Sequence, residues 1–321
     1  MSKLSAFQLE PQYRDYVWGG QRLRPGQLTA EVWAVYEEDI IRGGPFEGLS
    51  LAEAVQRAPL NLLGARPLER QQGQTSEGGP RFPLLIKLLD CAEWLSLQVH
   101  PDDAQAAALA GPGNFGKTEA WHVLQADPGA EILAGFEPGV DEEEALRAVR
   151  EGSLLDYTRR IPMHDGETIF IRAGTLHALG PGLLVYEVQQ TSDITYRIYD
   201  WDRPRTAGRE LHIDETLLVL DPSIAVQPVP PAPFADGALQ KRIACPYFHL
   251  GLLTAERSPA ALNADGQSFQ AVTCIQGALT LEGEGWSLPL ETFQSAVIPA
   301  AAGAVHVIPK GRMQALVAWV G

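Results

Sequence analysis

The sequence predicts a mainly β chain built of two antiparallel barrels, the first interrupted by helices, and three observations carry that expectation. Short runs rich in aromatic and β-branched residues recur along most of the chain between Gly and Pro turns. Helical signatures enter only as interruptions and never alternate regularly with the strands, as a parallel α/β sheet requires. Prolines at 222, 228, 230, 231 and 233 exclude a central strand or helix there and suit a linker. The expected organisation is therefore residues 1–225 as the main domain with helical insertions, 226–239 as a Pro-rich linker, and 240–321 as a smaller β-barrel.

Taken in order, Phe7–Leu9, Val17–Gly20 and Glu31–Tyr36 read as short β segments. Ser50 with Glu53 makes a capping box that opens a helix over 51–58, and the polar, Gln- and Gly-rich stretch 66–80 reads as a mobile surface loop. The apolar run Phe82–Leu89 contains Lys87 and leads into Trp94-Leu95-Ser96-Leu97-Gln98-Val99-His100. Read as a strand, this segment puts Trp94, Ser96, Gln98 and His100 on one face and Leu95, Leu97 and Val99 on the other. Pro101 stops it, and Asp102 or Asp103 caps a helix running to Ala110, with Gly111 as its stop. Strands over 117–124 and 131–136, around the turn Asp127-Pro128-Gly129, read as a hairpin. Asp141 with Glu144 starts a further helix, after which strands return at 169–171, 183–189 and 196–199. The tail repeats the β rhythm at 271–275, 279–282, 293–299, 305–309 and 316–320.

One echo ties the halves together. Gly174-Thr175-Leu176-His177 and Gly303-Ala304-Val305-His306 both set Gly three residues before His after an Ile-containing strand. In a chain of short antiparallel strands this points to two jelly-roll barrels of the cupin kind, in which a strand end presents a histidine to the barrel interior.

Composition excludes several function classes. Twenty-five Lys and Arg against 40 Asp and Glu leave a formal charge of −15, which repels nucleic acid and anionic membranes. Cys91, Cys245 and Cys274 are odd in number and lack CxxC spacing, which argues against a disulfide framework or a thiolate zinc site and fits a reducing cytoplasm. No signal-peptide core follows Lys3, and no run approaches the roughly 18 apolar residues of a membrane span. The expectation is a soluble cytoplasmic protein acting on a small molecule, as a monomer or homodimer.

The chemistry-bearing residues cluster. Gln98 and His100, two apart on one strand face, supply two ligands to a divalent metal, and Glu119 and His177 are the natural completions. His122 falls on the opposite strand face from Glu119 and reads as structural, as do His164, His212, His249 and His306. The stretch 186–203 concentrates acidic, basic and aromatic residues; in it Arg197 and Arg203 are planar donors suited to phosphate, and Glu187 is an acid or base candidate.

These motifs resemble the type I mannose-6-phosphate isomerases, most of all their short bacterial form. The resemblance runs through Tyr16-Val17-Trp18-Gly19-Gly20, Phe82–Lys87, Leu95–Asp102, Gly116–Glu119, Ala173–Ala178 and Glu187–Arg203. It implies a cupin-fold aldose-ketose isomerase that interconverts mannose 6-phosphate and fructose 6-phosphate with one zinc ion per chain. By that resemblance the zinc ligands are Gln98, His100, Glu119 and His177, and Arg197 is the active-site arginine. Ser96, Lys87 and Arg203 match substrate-side positions, and Lys117 and Glu187 are the candidates for the proton-transfer base. The chain departs from the family at Arg203, where long eukaryotic members carry lysine, and at Arg172, where the barrel motif usually has proline. Two other readings remain open on the residues alone. One is a cupin iron oxygenase with a His100, Glu119, His177 triad, against which Gln98 counts as a fourth ligand. The other is a sugar-binding cupin without turnover.

Overall fold

The computed structural model describes residues 4–72, 79–203 and 209–321. Its first part holds β1 (Phe7–Leu9), β2 (Gln12–Arg14), β3 (Glu31–Val35), β4 (Ile41–Arg42), α1 (Leu51–Arg57), α2 (Pro59–Leu63) and α3 (Ala65–Arg70). Then come β5 (Leu84–Cys91), β6 (Leu97–Val99), α4 (Asp103–Ala110), β7 (Glu119–Ala126), β8 (Glu131–Phe136) and α5 (Glu142–Glu151). They are followed by β9 (Thr158–Pro162), β10 (Thr168–Ile171), β11 (His177–Leu179), β12 (Leu183–Gln190), β13 (Tyr196–Tyr199) and α6 (Ile213–Val219). The remainder is strand apart from a 3-10 turn at Ala300–Ala302: β14 (Ala238–Ala244), β15 (His249–Ala255), β16 (Ala260–Ala264), β17 (Gln270–Gln276), β18 (Ala278–Gly283), β19 (Trp286–Glu291), β20 (Ser295–Ile298), β21 (Gly303–Pro309) and β22 (Met313–Trp319). The chain is mainly β and antiparallel, as its turn-punctuated strand pattern predicts.

Two compact units form, and they are not contiguous in sequence. One comprises Tyr13–Val32 and Leu88–Pro231; the other comprises Met1–Gln12, Trp33–Lys87 and Ala232–Gly321. Proline density suggested a single break at 226–239, whereas residues 1–87 contribute to both units.

In the first unit, β13, β6, β11, β8 and β9 form a five-stranded antiparallel sheet, and β10, β7 and β12 lie side by side in another. Strand alternation sorts the side chains. Trp121 and Val123 of β7, Ile132 and Ala134 of β8, Ile169 and Ile171 of β10, and Val185 of β12 share one buried cluster. Leu97 and Val99 of β6, Leu133 of β8 and Ala178 of β11 point the other way, and pack with Ala148 and Val149 of α5 and Val219 of α6. The helices thus cover the outer face of the five-stranded sheet, and its inner face looks toward β7 and β12.

Several local expectations differ from what forms. Strands β7 and β8 do not make a hairpin: β7 pairs with β10 and β12, while β8 pairs with β11 and β9. The tight turn at Asp127–Ala130 is present, but it sends the chain from one sheet into the next, which the local sequence cannot reveal. Val17–Gly20 is a turn with isolated bridges, Gly19 to Cys91 and Gly20 to Thr29. Both glycines are needed there for close approach, because a Cβ on Gly19 would lie 2.6 Å from Ala30 N and one on Gly20 2.4 Å from an Asp90 carboxylate oxygen. The expected loop over 66–80 begins with α3; its residues 73–78 lie outside the described residues. The Pro-rich stretch is anchored at Val226, which is buried in the inner cluster, and at Val229, which bridges to Thr168.

In the second unit a seven-stranded sheet, β14-β15-β22-β17-β20-β1-β4, and a four-stranded sheet, β16-β21-β18-β19, share an apolar core that includes Leu253, Val272, Leu281, Val305 and Val317. The N-terminal strand is part of this sheet through Phe7 opposite Val297. His306, the counterpart of His177 in the sequence echo, is exposed on β21 opposite Ala261.

An aspartate staples the turn between β15 and β16. Asp236 Oδ1 accepts from the backbone N–H groups of Glu256 (2.7 Å), Arg257 (3.1 Å) and Ser258 (3.2 Å), and Oδ2 from Ser258 Oγ (3.0 Å). Those donors, Glu256 N–H first, hold its carboxyl down at about 2 against an ordinary value of 3.8. A depressed carboxylate stabilises the fold above its unfolded pKa, and that contribution fades as pH falls from 3.8 toward 2. Asp236→Ala should therefore lower the thermal midpoint at pH 7, and the gap from wild type should narrow between pH 4 and pH 3; a gap that stays constant would refute the staple.

Candidate active site

The site grows out of β6. Asp102 caps α4 by accepting from Gln105 N (2.8 Å), Gln105 reaches back to Asp102 N (2.9 Å), and Gly111 ends the helix at a φ of 101°. This fixes His100 at the strand exit. Because Leu97 and Val99 face the helices, Gln98 between them faces inward. Gln98 lies directly opposite His177 of β11 on one side and Arg197 of β13 on the other. Across the interior, β7 opens with Glu119, opposite Gln189 of β12 and Ile171 of β10.

Three ligating atoms, one each from the buried residues His100, Glu119 and His177, converge within 4.8 Å of one another. Glu119 Oε2 is 3.5 Å from His100 Nε2, and Oε1 is 3.4 Å from His177 Nε2. Each imidazole donates its Nδ1–H to a backbone carbonyl, His100 to Ile194 O (2.9 Å) and His177 to Thr175 O (2.8 Å). That choice leaves both Nε2 lone pairs turned to the centre. Burial first, with the Lys117 ammonium assisting, pulls the His177 pKa down to about 4 against the opposing effects of the Thr175 carbonyl and Glu187. The ring is therefore neutral at physiological pH, the form that binds a metal.

Gln98 Nε2 lies 3.4 Å from His100 Nε2 and 3.2 Å from His177 Nε2, and Ser96 Oγ donates to Gln98 Oε1 (3.1 Å). Amide oxygen and nitrogen are interchangeable in shape, so a half-turn sets the oxygen among the ligating atoms and the NH2 against the Ser96 hydroxyl, which accepts equally well. The set of two imidazole nitrogens, one carboxylate and one amide oxygen fits a divalent cation such as zinc. Lys117 Nζ stands 3.1 Å from both Glu119 Oε2 and His100 Nε2 and brings a positive charge to these acceptors.

The other nominated residues are spread around this centre. Glu187, buried on the same face of β12 as Gln189, accepts from Trp121 Nε1 (2.8 Å). Arg197 is half-buried, and its Nε is a buried donor with no hydrogen bond among the described residues. Burial, then the charge of Arg209, lowers its pKa. Arg203, expected on the substrate side, has its donors engaged by protein: Asp200 (3.1 Å), Glu93 (3.0 Å) and Trp94 O (2.8 Å). Asp200 also takes Arg209 through two bonds of 2.6 and 2.9 Å. Lys87 is buried in β5 within the other compact unit, its Nζ 5.0 Å from the centroid of Trp33. His122 faces away from Glu119, as expected, and bonds Thr168 Oγ1 (2.9 Å).

Sequence reasoning missed the clamp that positions Lys117 and Glu119. Gln190 accepts from Thr118 N (2.9 Å) and donates to Asp103 Oδ1 (2.9 Å), which also accepts from Gly116 N (2.8 Å). Gly116 must be glycine, since a Cβ would stand 2.5 Å from the Asp102 carbonyl carbon. Only the capping aspartate pair at 102–103 hinted at this clamp, because its other members lie far along the chain.

A two-sheet antiparallel β unit with a buried His-Glu-His centre in its interior defines a cupin-like protein with a candidate metal site. The family model for the phosphomannose isomerase type I catalytic domain matches residues 51–120. The chain is 38% identical to the mannose-6-phosphate isomerase of Streptococcus mutans serotype c over 225 residues, 66% of each chain. It is 31% identical to mannose-6-phosphate isomerase ManA of Bacillus subtilis over 308 residues, 92% of this chain and 93% of that one. A crystal structure of the Bacillus subtilis mannose-6-phosphate isomerase superposes with a TM-score of 0.81 at 29% identity, covering 98% of this chain and 99% of that one. The chain belongs to the mannose-6-phosphate isomerase family.

Gln190→Leu should destabilise the protein by about 1–3 kcal/mol, because it leaves the buried Thr118 N–H without its acceptor and takes one of the donors from Asp103. Urea unfolding of the two proteins measures the difference, and equal midpoints would show that the clamp contributes nothing.

Proposed function

We propose that this protein is a zinc-dependent aldose-ketose isomerase that interconverts mannose 6-phosphate and fructose 6-phosphate, with residues 1–225 supplying the chemistry and the barrel at 240–321 binding no metal. The observation that carries the reading is the donor set: two imidazoles held as Nδ1–H tautomers by backbone carbonyls, a buried carboxylate, and an amide within reach. In this reading Gln98, His100, Glu119 and His177 hold one zinc ion. When bound, zinc acts as a Lewis acid on the sugar oxygens at C1 and C2.

The protein's own groups do the rest. Moving the proton between C1 and C2 needs a base within reach of both carbons, and the buried side chains of Lys117 and Glu187 are the candidates for it. Arg197, a cation already withdrawn from water, stabilises charge that develops on oxygen. Ser96 sets the orientation of the Gln98 amide, and Arg203 completes the substrate side. The presence of Gln98 as a fourth ligand disfavours an iron oxygenase, which needs that coordination position open.

His100→Ala should remove the metal, since loss of one of about four ligands lowers affinity by orders of magnitude. Elemental analysis of the purified variant checks this, and stoichiometric zinc would sink the assignment. Arg197→Ala should cost kcat a factor of about 100 to 1,000 with a smaller change in KM, because its charge is needed most in the transition state. Arg203→Ala should act chiefly on KM. Steady-state kinetics with mannose 6-phosphate decides the matter, and the opposite pattern would reverse the two roles.

A further inference from the structure

Gln189 was not among the residues that the sequence nominated, and nothing described so far uses it. It is fully buried on β12, directly opposite the candidate ligand Glu119 and on the same inward face as Glu187. The orientation of its amide is settled by its surroundings: Nε2 donates to Gln190 O (3.0 Å) and to Ser192 O, and an oxygen in that place would face two carbonyl oxygens. Its Oε1 is therefore the end turned away from those two carbonyls, and that atom is a buried acceptor with no hydrogen bond among the described residues. Thr191 Oγ1, two residues on, is a second buried polar atom in the same condition. A carbonyl oxygen withdrawn from water without a donor carries a desolvation cost that a bound O–H group removes.

We propose that Gln189 is a substrate-binding residue whose side-chain carbonyl accepts a hydrogen bond from a sugar hydroxyl on C3 or C4. This rests on the isomerase reading, in which the sugar oxygens at C1 and C2 meet the metal that Glu119 helps to hold. Neighbouring strands stand about 4.8 Å apart, so a group beside Glu119 on the next strand is within reach of the third or fourth carbon of the same sugar. The consequence is specificity: a site that presents a buried acceptor to a hydroxyl discriminates against an analogue that lacks it.

The test uses 3-deoxy- and 4-deoxy-mannose 6-phosphate beside mannose 6-phosphate, with the zinc-loaded wild-type protein and Gln189→Met. Wild type should lose about 10- to 100-fold in kcat/KM on one of the two analogues. Gln189→Met should show that loss already on mannose 6-phosphate and suffer no further loss on the same analogue. Equal penalties in wild type and variant would mean that the oxygen never meets the sugar, and the proposal falls. The wild-type arm stands even if the variant fails to fold, since full activity on both analogues overturns the proposal by itself. A wild-type protein inactive on mannose 6-phosphate fails the isomerase reading first and takes this assignment with it, which separates the two failures.

Discussion

Two backbone carbonyls decide what the centre of this protein can do. A neutral imidazole has one N–H and one lone pair, and whichever nitrogen meets an acceptor keeps the proton. Ile194 O and Thr175 O each take an Nδ1–H, so His100 and His177 present their Nε2 lone pairs to the carboxylate of Glu119. Electron-rich atoms gathered within 4.8 Å repel one another unless positive charge lies among them. The Lys117 ammonium, 3.1 Å from two of these residues, supplies one such charge, so a divalent ion held here shares its ligands with a neighbouring cation.

The carbonyls can play this role only because the strands place them. Ile194 and Thr175 sit in the short approaches to β13 and β11, the two strands that flank β6, and the register of those pairings brings His177 and Arg197 to either side of Gln98. A slip of one residue would turn Gln98 toward α5 and α6 and bury Leu97 and Val99 in the centre. The apolar packing of Leu97, Val99, Leu133 and Ala178 under the helices therefore sets the register on which the polar face depends. Glu119 arrives from the other sheet, and its approach is set by the Gln190 and Asp103 clamp.

What was legible in the sequence follows from how local each signal is. The Asp102 cap, the Gly111 stop and the Ser50 capping box depend on residues within a few positions, and each appears in the structure where it was expected. The period-two alternation holds from Leu97 to Val99, but Trp94 packs with Leu97 and Val99 and Leu95 joins the inner cluster, because the strand proper begins only at Leu97. The β7–β8 hairpin was misread because the tight turn at Asp127–Ala130 is compatible either with pairing or with a step between sheets, and only tertiary contacts choose. The helix α3 was hidden by its length of six residues and by Pro67 near its start. Gln189 and Gln190 were invisible for another reason. Their importance comes from partners at Glu119, Asp103 and Thr118, which lie some 70 to 90 positions away.

The arginines show why a chain of net charge −15 can still suit an anionic sugar phosphate. At physiological ionic strength, charges beyond about 8 Å are largely screened, so the balance near the centre matters more than the total. Arg203 and Arg209 are both tied to Asp200, and their hold outweighs the effect of its burial, which alone would raise its pKa. Arg197 differs from them: among the described residues it forms no ion pair, and its Nε is buried and unbonded. Withdrawing a guanidinium from water in this way is unfavourable, and its lowered pKa reflects that burial. An ion-paired carboxylate would relieve the cost; the charges of Asp200 and Asp193 oppose it without an ion pair, and burial outweighs them. In its proposed role Arg197 is relieved of that cost most when negative charge develops on oxygen, so the unfavourable burial favours the transition state over the ground state.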